Sequence, residues 1–385
     1  MKVALFSEIY PPLINGVATH VKILRQGLIE LGHEVLVVYA DPKVKKFTHE
    51  NGILICPSRP LKKIYGFGLA NPFSVRNNKT LLNFAPDVIH IHTEFGIGLA
   101  GALAAKKLKI PLVYTMHTMY DEYMHYILPR FLIHPGKSVA HKYARFLGKR
   151  ASKLIGPSQK VAEYFKACKV KKDVIVMENA VELDDFNLNN IKESDIDNVK
   201  DIYNISKDDF VVCFCGRLGH EKSIDVLLKN WAKTVTADDK MKLMIIGAGP
   251  VENELKTLVF ELKIQDTTIF TGRVEHTDIP PYYAACDMYV TASLSEMNSI
   301  SMKEAMALGL PALYIADELN LNQINHGENG FIYRTAEDMY KYLIKYRDME
   351  HDKKEALKKS TRDSVAKDAV NDWTKRIVDI YLEAK

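Results

Sequence analysis

The stretch FVVCFCGRLGHEKSID, residues 210–225, indicates the fold of this chain. Its first six residues, 210–215, are apolar without interruption, which is typical of a strand buried on both faces of a sheet. A glycine, charged residues and then a segment of helical period follow directly. A buried strand, a polar loop and a helix form the repeating unit of a parallel sheet that is covered by helices on both faces.

Apolar runs of this kind recur along the 385 residues, seven in the first half and six in the second. They alternate with segments of helical period, so the sequence predicts an α/β protein with two doubly wound domains. A polar, charged segment separates the two series. We expect a first domain over residues 1–190 and a second over residues 191–361. The last helix, about 362–385, has an apolar stripe and no strand after it, so we expect it to cross back to the first domain.

The composition is that of a globular protein, with 47% hydrophobic and 26% charged residues. No apolar run approaches the roughly 20 residues that cross a bilayer, and the start lacks the apolar core of a signal peptide. The five cysteines are odd in number and lie mostly in apolar runs. This usage favours free thiols in a reducing compartment, so we expect a cytoplasmic protein.

Positive charge is concentrated in two stretches, although the net charge is only +4. Residues 129–153 contain seven Lys or Arg side chains and no acid, and residues 60–79 contain four among aromatic and apolar side chains. Such stretches either form a solvated face or bind an anionic partner. The chain has no nucleic-acid-binding motif, so nucleic acid is not the expected partner.

Polar residues follow the predicted strands, where ligands bind in open α/β sheets. Gly16 is predicted to begin a helix whose amide groups suit a phosphate or a sugar hydroxyl. His117 ends the fifth strand of the first series and precedes a group of aromatic and polar residues. The alternatives are a simple turn at Gly16 and a structural role for His117.

Two cations follow the strand at residues 210–215. Arg217 and Lys222 are placed to oppose the two charges of a diphosphate, and Glu221 between them can orient one or both. A surface ion pair is the alternative. The ends of the next two strands carry glycines, which allow a flat base and a ribose to approach the backbone closely. These glycines are Gly247, Gly249 and Gly272.

Two carboxylates eight positions apart, Glu296 and Glu304, follow a later strand. Paired acids serve a glycoside hydrolase, a metal site or a clamp on hydroxyl groups. On one helix they would diverge by about 80°. With Glu296 in a loop and Glu304 in the next helix, they would reach different parts of one elongated ligand. The nearby cations and the lack of a His-rich or Asp-rich cluster favour a nucleoside diphosphate sugar held without a metal.

These residues together resemble the family-4 retaining glycosyltransferases of the GT-B fold, which have two Rossmann-like domains and an active site between them. The resemblance spans nearly the whole chain. Its motifs are INGV, MHT, MENAVE, GRLGHEK, IGAGP, TGRV, the pair Glu296 and Glu304, EAMALGLP and INHGENGFIY. The chain departs from the family in two places. Met297-Asn298-Ser299 stands where a glycine usually follows the first acid, and Ala180 replaces another glycine.

The resemblance implies a role for each matching residue. Arg217 and Lys222 neutralise the departing diphosphate. Glu296 hydrogen-bonds hydroxyls of the donor sugar, Glu304 holds the ribose, and His117 contacts the transferred sugar. The other residues implied at the donor are Gly16, Gly216, Glu221, Arg273, Val274, Met297, Asn298, Ser299 and Ile300. No metal or other cofactor is implied. An α-sugar is transferred with retention of configuration, and no side chain need act as a nucleophile.

Within this family, HTMYDEYMHYI (residues 117–127) and SEIYPPLINGVATHV (residues 7–21) resemble bacterial diacylglycerol glucosyltransferases. This implies transfer of glucose from UDP-glucose to the 3-hydroxyl of 1,2-diacylglycerol. A helix over about 137–150, with Val139, Tyr143, Phe146 and Leu147 on one side, would lie on the anionic inner face of the cell membrane. The residues expected at the acceptor or the membrane are Tyr120, Tyr123, Tyr126, Arg130, Lys137, Lys142, Arg145 and Lys149.

Three alternatives stay open at this point. A family-4 enzyme could act on another acceptor, such as a polyprenyl intermediate, a soluble sugar or a protein. A glycoside hydrolase would use the acid pair but would leave the two cations and the glycine turns without a role. A non-catalytic binding protein would use only the basic stretches.

Overall fold

The structure, a computed structural model, describes residues 1–13, 15–61, 67–119 and 130–385. It divides the chain into two compact units. The first unit contains Met1–Ala180 together with Val370–Lys385, and the second contains Val181–Ala369.

Nine strands of the described residues form the sheet of the first unit. They are β1 (Lys2–Ser7), β2 (Glu34–Asp41), β3 (Thr48–Glu50), β4 (Ile53–Leu61), β5 (Phe67–Ala70), β6 (Val88–Ile91), β7 (Leu112–Thr115), β8 (Lys153–Gly156) and β9 (Val174–Val176). Their order is β3-β4-β2-β1-β6-β7-β8-β9, with β5 paired to β4. The pairs β3–β4 and β4–β5 are antiparallel, whereas the other pairs are parallel. The expected parallel sheet is therefore present, with two short antiparallel strands that the sequence did not predict.

The helices of the first unit cover this sheet. They are α1 (Gly16–Glu30), α2 (Pro72–Arg76), α3 (Lys79–Phe84), α4 (Gly96–Leu108), α5 (Ile133–Arg150) and α6 (Gln159–Ala167). Helix α1 begins at Gly16, as predicted, because Oδ1 of Asn15 accepts a hydrogen bond from the amide of Ala18 at 2.8 Å. The direction of strand order reverses between β1 and β6, which is where open α/β sheets bind ligands.

Six strands form the sheet of the second unit within the described residues. They are β10 (Phe210–Cys215), β11 (Met241–Ile246), β12 (Thr268–Gly272), β13 (Met288–Thr291), β14 (Ala312–Ile315) and β15 (Gly330–Tyr333). Their order is β12-β11-β10-β13-β14-β15, and all pairs are parallel. This is the Rossmann-like order, and it reverses between β10 and β13.

Helices cover both faces of the second sheet. They are α7 (Glu193–Ile202), α8 (Ile224–Thr234), α9 (Glu252–Glu261), α10 (Ile279–Ala284), α11 (Ile300–Ala307), α12 (Ala336–Arg347) and α13 (His351–Ala366). Alternate residues of β10 belong to two different cores. One core holds Phe214 with Trp231, and the other holds Cys213 with Tyr283. This confirms that β10 is buried on both faces, and the two cysteines of the strand are core residues.

The predicted start of the last helix, at about residue 362, is wrong because two helices occupy this part of the chain. Helix α13 ends at Ala366, and α14 spans Val370–Glu383. The chain leaves the helical path between them because the amide of Val181 donates to the carbonyl of Asp368 at 3.0 Å, and Val181 forms a β-bridge with Ala369.

Helix α14 belongs to the first unit, as its apolar stripe predicts. Trp373 and Tyr381 are buried in that unit's core, and Nε1 of Trp373 donates to the carbonyl of Glu178 at 2.7 Å. The chain passes between the units at 180/181 and 369/370, whereas the sequence predicts 190/191 and 361/362. The first crossing comes earlier because Val181 and Phe186 already pack in the core of the second unit.

Candidate active site

The strand order of the second unit brings several predicted site residues to one edge of its sheet. Arg217 and Lys222 follow β10, and Glu296 follows β13. These two strands are neighbours at the point where the order reverses. Residues that are far apart in sequence therefore meet at the expected ligand-binding edge.

Glycines allow the loops after β10 and β11 to pack backbone against backbone. Gly216 has φ +153° and Gly247 has φ +130°, a region that side chains with a Cβ rarely adopt. A Cβ at Gly247 would lie 2.1 Å from the carbonyl oxygen of Gly216, and one at Gly249 would lie 2.2 Å from that of Leu218. Larger residues would push apart the two loops that lie beside Arg217.

Each of the two cations has an acidic partner. Arg217 donates to the carboxylate of Glu221, which is buried. Nζ of Lys222 lies 2.5 Å from Oε1 of Glu296, and both side chains are mostly buried. Glu221 therefore orients Arg217, whereas Lys222 is oriented by the acid after β13. The sequence did not predict this division.

Two serines hold the loop after β13 against the loop after β10. The hydroxyls of Ser293 and Ser295 donate to the carbonyl of Glu221 at 3.2 Å and 2.6 Å. These contacts fix the distance between the segment that carries Lys222 and the segment that carries Glu296.

The loop at residues 296–299 is held by two amide side chains that the sequence analysis missed. Nδ2 of Asn320 donates to the carbonyls of Glu296 and Met297 at 3.0 Å and 3.1 Å. Nε2 of Gln323 donates to the carbonyl of Met297 at 2.6 Å. Both side chains come from the segment after β14, and only their burial in the folded chain indicates this role.

The side chains of the loop itself point largely away from solvent. Met297, Asn298 and Ser299 are all buried. The Ser299 hydroxyl accepts a hydrogen bond from the amide of Met302 at 3.3 Å and so caps α11, which begins at Ile300. The hydroxyl of Ser299 therefore has a structural role.

Glu304 lies in the second turn of α11 and its side chain is almost fully buried. Its Oε1 lies 2.7 Å from Nε2 of His276, which follows β12 in a short 3-10 turn. Glu296 lies in a loop and Glu304 in the following helix, which is the arrangement that lets them reach different parts of one ligand. The sequence analysis missed His276, although it comes only three residues after Arg273.

The other two residues after β12 differ in exposure. Nε of Arg273 lies 2.9 Å from Oε1 of Glu275 in an exposed ion pair. The side chain of Val274 packs against one of the two cores of the second unit. A contact of Val274 with a ligand would therefore come from its backbone.

In the first unit, His117 lies two residues after β7 and is half-buried. Nδ1 of the buried His92 lies 3.2 Å from Nε2 of His117, and the buried His20 packs edge-on against His117. Burial lowers the pKa of His20 to about 4 and holds the pKa values of His92 and His117 well below the usual value for histidine. The three imidazoles are therefore neutral at pH 7.

The side chains of these three histidines also converge on one another. Within the described ranges, they are the one group of three or more His, Cys, Asp or Glu side chains whose ligand atoms converge closely enough to share an ion. The group lies in the first unit, and the acids Glu296 and Glu304 are not part of it.

Helix α5 contains four of the eight residues expected at the acceptor or the membrane, namely Lys137, Lys142, Arg145 and Lys149. Its outward face carries exposed Lys142 and Lys149 together with Val139, whose side chain is 65% exposed. Phe131, just before the helix, is 78% exposed. Lys137 is partly exposed.

The predicted apolar side of this helix is wrong in part. Leu147 is buried, and the hydroxyl of Tyr143 donates to the carbonyl of Glu94, so both side chains pack onto their own unit. Arg145 donates to the carbonyl of Cys168, and Arg150 stacks on Phe146. A helix that covers a sheet must bury one side against it, and Leu147 lies on that side.

The predictions for four of the expected acceptor residues lie outside what the structure describes. Tyr120, Tyr123 and Tyr126 lie outside the described residues, and so does the side chain of Arg130. In the part of the chain that is described, no helix has both the length and the apolar character needed to cross a bilayer.

Comparison with known proteins assigns the two halves of the chain to glycosyltransferases. Residues 14–185 match the family described as Glycosyltransferase Family 4, and residues 195–364 match Glycosyl transferases group 1. The alpha-monoglucosyldiacylglycerol synthase of Acholeplasma laidlawii is 32% identical, over 90% of this chain and 88% of that protein. The protein of the same name from Streptococcus pneumoniae is 30% identical, over 100% of this chain and 86% of that protein.

Solved structures of low sequence identity share the fold. Anabaena HepE in complex with UDP has a TM-score of 0.76 at 18% identity, with all of both chains covered. Sucrose-phosphate synthase from Thermosynechococcus elongatus has a TM-score of 0.78 at 18% identity, with 99% of this chain and 98% of that chain covered. The chain has two Rossmann-like sheets, and its two halves match the models of family 4 and of group 1. It therefore belongs to the GT-B glycosyltransferases.

Proposed function

We propose that this enzyme transfers an α-glucosyl unit, with retention, from UDP-glucose to the 3-hydroxyl of 1,2-diacylglycerol. The observation that carries the proposal is the 2.5 Å contact between Lys222 and Glu296. A cation for phosphate and an acid for sugar hydroxyls stand side by side, as the phosphate and the sugar do in a nucleotide sugar. Two relatives that match most of the chain are named alpha-monoglucosyldiacylglycerol synthases, which supports the acceptor.

The leaving group sets the main chemical demand. As the glycosidic bond breaks, negative charge grows on the diphosphate, and cations placed in advance stabilise it. Arg217 is held in place by Glu221, and Lys222 is positioned by Glu296 before the donor arrives. In our proposal the departing diphosphate accepts the proton of the acceptor hydroxyl on the same face of the sugar, which retains the α configuration. These steps use only the chain's own side chains and the two substrates.

The other proposed donor contacts assign one part of the site to each part of the nucleotide sugar. Glu296 binds hydroxyls of glucose, and Glu304 binds the ribose while His276 keeps its carboxylate in place. Asn320 and Gln323 hold the loop at residues 296–299 through its carbonyls, and in our proposal the amides of this loop bind the sugar and the phosphate. The backbone at Arg273 and Val274 meets the base. UDP is the proposed nucleotide, and the solved complex of Anabaena HepE with UDP-glucose, which shares the fold, supports it.

The first unit supplies residues for the sugar and the acceptor. We assign His117 to the transferred glucose, and we assign the amides at Gly16, where α1 begins, to the donor. Because the pKa of His117 is low, the residue acts as a neutral hydrogen-bonding group and not as a cation.

The membrane assignment rests on α5. Its exposed lysines and Val139, with Phe131 beside them, combine positive charge with exposed apolar surface, as peripheral membrane proteins do. The proposed location is the inner face of the cell membrane, where each Lys near an anionic leaflet contributes about 1 kcal/mol.

A panel assay tests the proposal. The enzyme is incubated with diacylglycerol in mixed micelles and, separately, with UDP-glucose, UDP-galactose, UDP-N-acetylglucosamine and GDP-mannose. We expect glycolipid only, or by far the most, with UDP-glucose. If the enzyme transferred sugar to a polyprenyl phosphate or a soluble sugar and not to diacylglycerol, the assignment of diacylglycerol as the acceptor would be wrong. Release of glucose from a simple glycoside without any nucleotide would indicate a hydrolase.

A further inference from the structure

Three histidines of the first unit converge at the edge of its sheet. His20 lies on α1, His92 follows β6 directly, and His117 follows β7. One ring nitrogen from each lies within 4.8 Å of those of the other two. The sequence separates the three residues widely, so only the fold brings them together.

The hydrogen bond of His20 determines which of its nitrogens is available. Nδ1 of His20 lies 3.0 Å from Oδ1 of Asn179. An amide oxygen only accepts, so Nδ1 carries the proton and Nε2 carries the lone pair. Nε2 is buried and has no hydrogen-bond partner. A histidine held at one nitrogen by a neighbouring oxygen, with the other nitrogen available, is the usual arrangement of a metal ligand.

The other two histidines already have the spacing of ligands. Nδ1 of His92 and Nε2 of His117 are 3.2 Å apart and share one proton. Two nitrogens bound to one Zn²⁺ at tetrahedral angles are about 3.3 Å apart, given Zn–N bonds of roughly 2.0–2.1 Å. To bind the ion, the shared proton moves to the other nitrogen of its own ring, so both imidazoles stay neutral.

Without an ion, the nitrogen that His20 offers to the cluster is unsatisfied. Nε2 of His20 is buried without a hydrogen-bond partner, and an unpaired buried polar atom destabilises the folded chain. Neutral imidazole is the form that binds a metal.

We propose that His20, His92 and His117 form a binding site for a divalent transition metal ion, with Zn²⁺ as the fitting ion. Three imidazole nitrogens suit Zn²⁺, whereas Mg²⁺ and Ca²⁺ require oxygen ligands. His117 is half-buried, which gives the ion a route from solvent and leaves a fourth position for water.

Metal binding has a consequence that rests on the proposed function. An ion bound to His117 takes this residue away from the transferred glucose. Zn²⁺ therefore inhibits transfer instead of supporting it, and the unliganded enzyme is the active form.

Direct binding tests the site without any substrate. The purified chain, freed of metal, is titrated with Zn²⁺ by calorimetry and with Co²⁺ by visible absorption. We expect one tight site and the intense bands of four-coordinate Co²⁺. His20→Gln or His92→Gln should weaken Zn²⁺ binding at least 100-fold, and Asn179→Leu about 10-fold to 100-fold. The matched control is His49→Gln, because His49 is an exposed histidine of the same unit.

The outcomes separate this proposal from the proposed function. A wild-type chain that binds no Zn²⁺ tightly, or that binds it as well after His20→Gln with an unchanged circular dichroism spectrum, overturns the metal site. Tight binding without inhibition of transfer overturns only the regulatory consequence. A chain that transfers no sugar still gives a valid result in the calorimetric and Co²⁺ experiments.

Discussion

Nζ of Lys222 lies 2.5 Å from Oε1 of Glu296, although the two residues are 74 positions apart. Both side chains are charged and mostly buried, so each stabilises the other before any ligand binds. A bound nucleotide sugar would contact both side chains, with its phosphate at Lys222 and its sugar hydroxyls at Glu296. The pair therefore marks where the bond between sugar and phosphate would lie.

The first prediction concerns Lys222→Ala. Removing the cation takes away stabilisation of the leaving diphosphate, so we expect kcat to fall about 100-fold to 1,000-fold. Initial rates of UDP release with diacylglycerol present measure it. Lys229→Ala is the control, because Lys229 is an exposed lysine on α8 that pairs with Asp225. Near-normal turnover in Lys222→Ala would show that Lys222 does not stabilise the leaving diphosphate.

The second prediction concerns His276, which the sequence analysis missed. In His276→Leu the carboxylate of Glu304 loses its 2.7 Å partner and its fixed position. We expect the KM for UDP-glucose to rise about 10-fold or more while kcat changes little, because a charged hydrogen bond is worth about 1.5–3 kcal/mol. His276→Gln should recover part of the loss. The control is His351→Leu, at an exposed position at the start of α13. An unchanged KM would mean that Glu304 needs no support from His276.

The third prediction concerns the outward face of α5. Lys142→Glu with Lys149→Glu should weaken binding to vesicles of anionic phospholipid about 30-fold or more, since each lysine contributes about 1 kcal/mol. Sedimentation with the vesicles measures the binding. The control is Lys106→Glu with Lys171→Glu, which changes the charge equally at two exposed positions of the same unit. Equal loss in both variants would indicate a general charge effect and not a docking face.

The fourth prediction compares two ion pairs of equal length in the second unit. Lys303 and Asp368 are almost fully buried at 2.5 Å, whereas Lys359 and Asp363 are exposed at the same distance. Lys303→Met leaves a carboxylate buried without its lysine, and we expect it to lower the free energy of unfolding by about 3–5 kcal/mol. Lys359→Met should change it by at most about 1 kcal/mol.

Fluorescence can report this unfolding separately for the second unit. The chain has two tryptophans, and Trp231 lies in the second unit while Trp373 lies in the first. In a Trp373→Phe background, urea unfolding followed at Trp231 measures the effect. Adding Asp368→Leu to Lys303→Met should recover stability, because no carboxylate then remains buried. Similar losses from Lys303→Met and Lys359→Met would show that burial does not decide the strength of these pairs.

The fold was predictable because its main signal is local. A strand such as β10 is apolar along its whole length only when both faces are covered, and such runs alternate with helices in both halves of the chain. The break between α13 and α14 was not predictable. It depends on Asp368 meeting Lys303 and Val181, which are far away in sequence.

The candidate site was predictable to the extent that its residues lie in the loops that follow strands. Such loops carry Arg217, Lys222 and Glu296, and strand order brings them together. No local pattern reveals the other three residues of the site, because their partners are distant in sequence. His276 contacts the side chain of Glu304, and Asn320 and Gln323 donate to carbonyls of the loop at residues 296–299. Helical period likewise cannot tell whether Leu147 packs against its own sheet or against a membrane, and here it packs inward.

The central claim is retaining transfer of glucose to diacylglycerol, and proton NMR of the purified product tests it most directly. The wild-type enzyme is incubated with UDP-glucose and 1,2-diacylglycerol in mixed micelles, and UDP release is measured in parallel. We predict a single glucosyl residue in the α configuration on the 3-hydroxyl, formed in equal amount with UDP. A β-linked product, or release of UDP with free glucose and no glycolipid, would contradict the account.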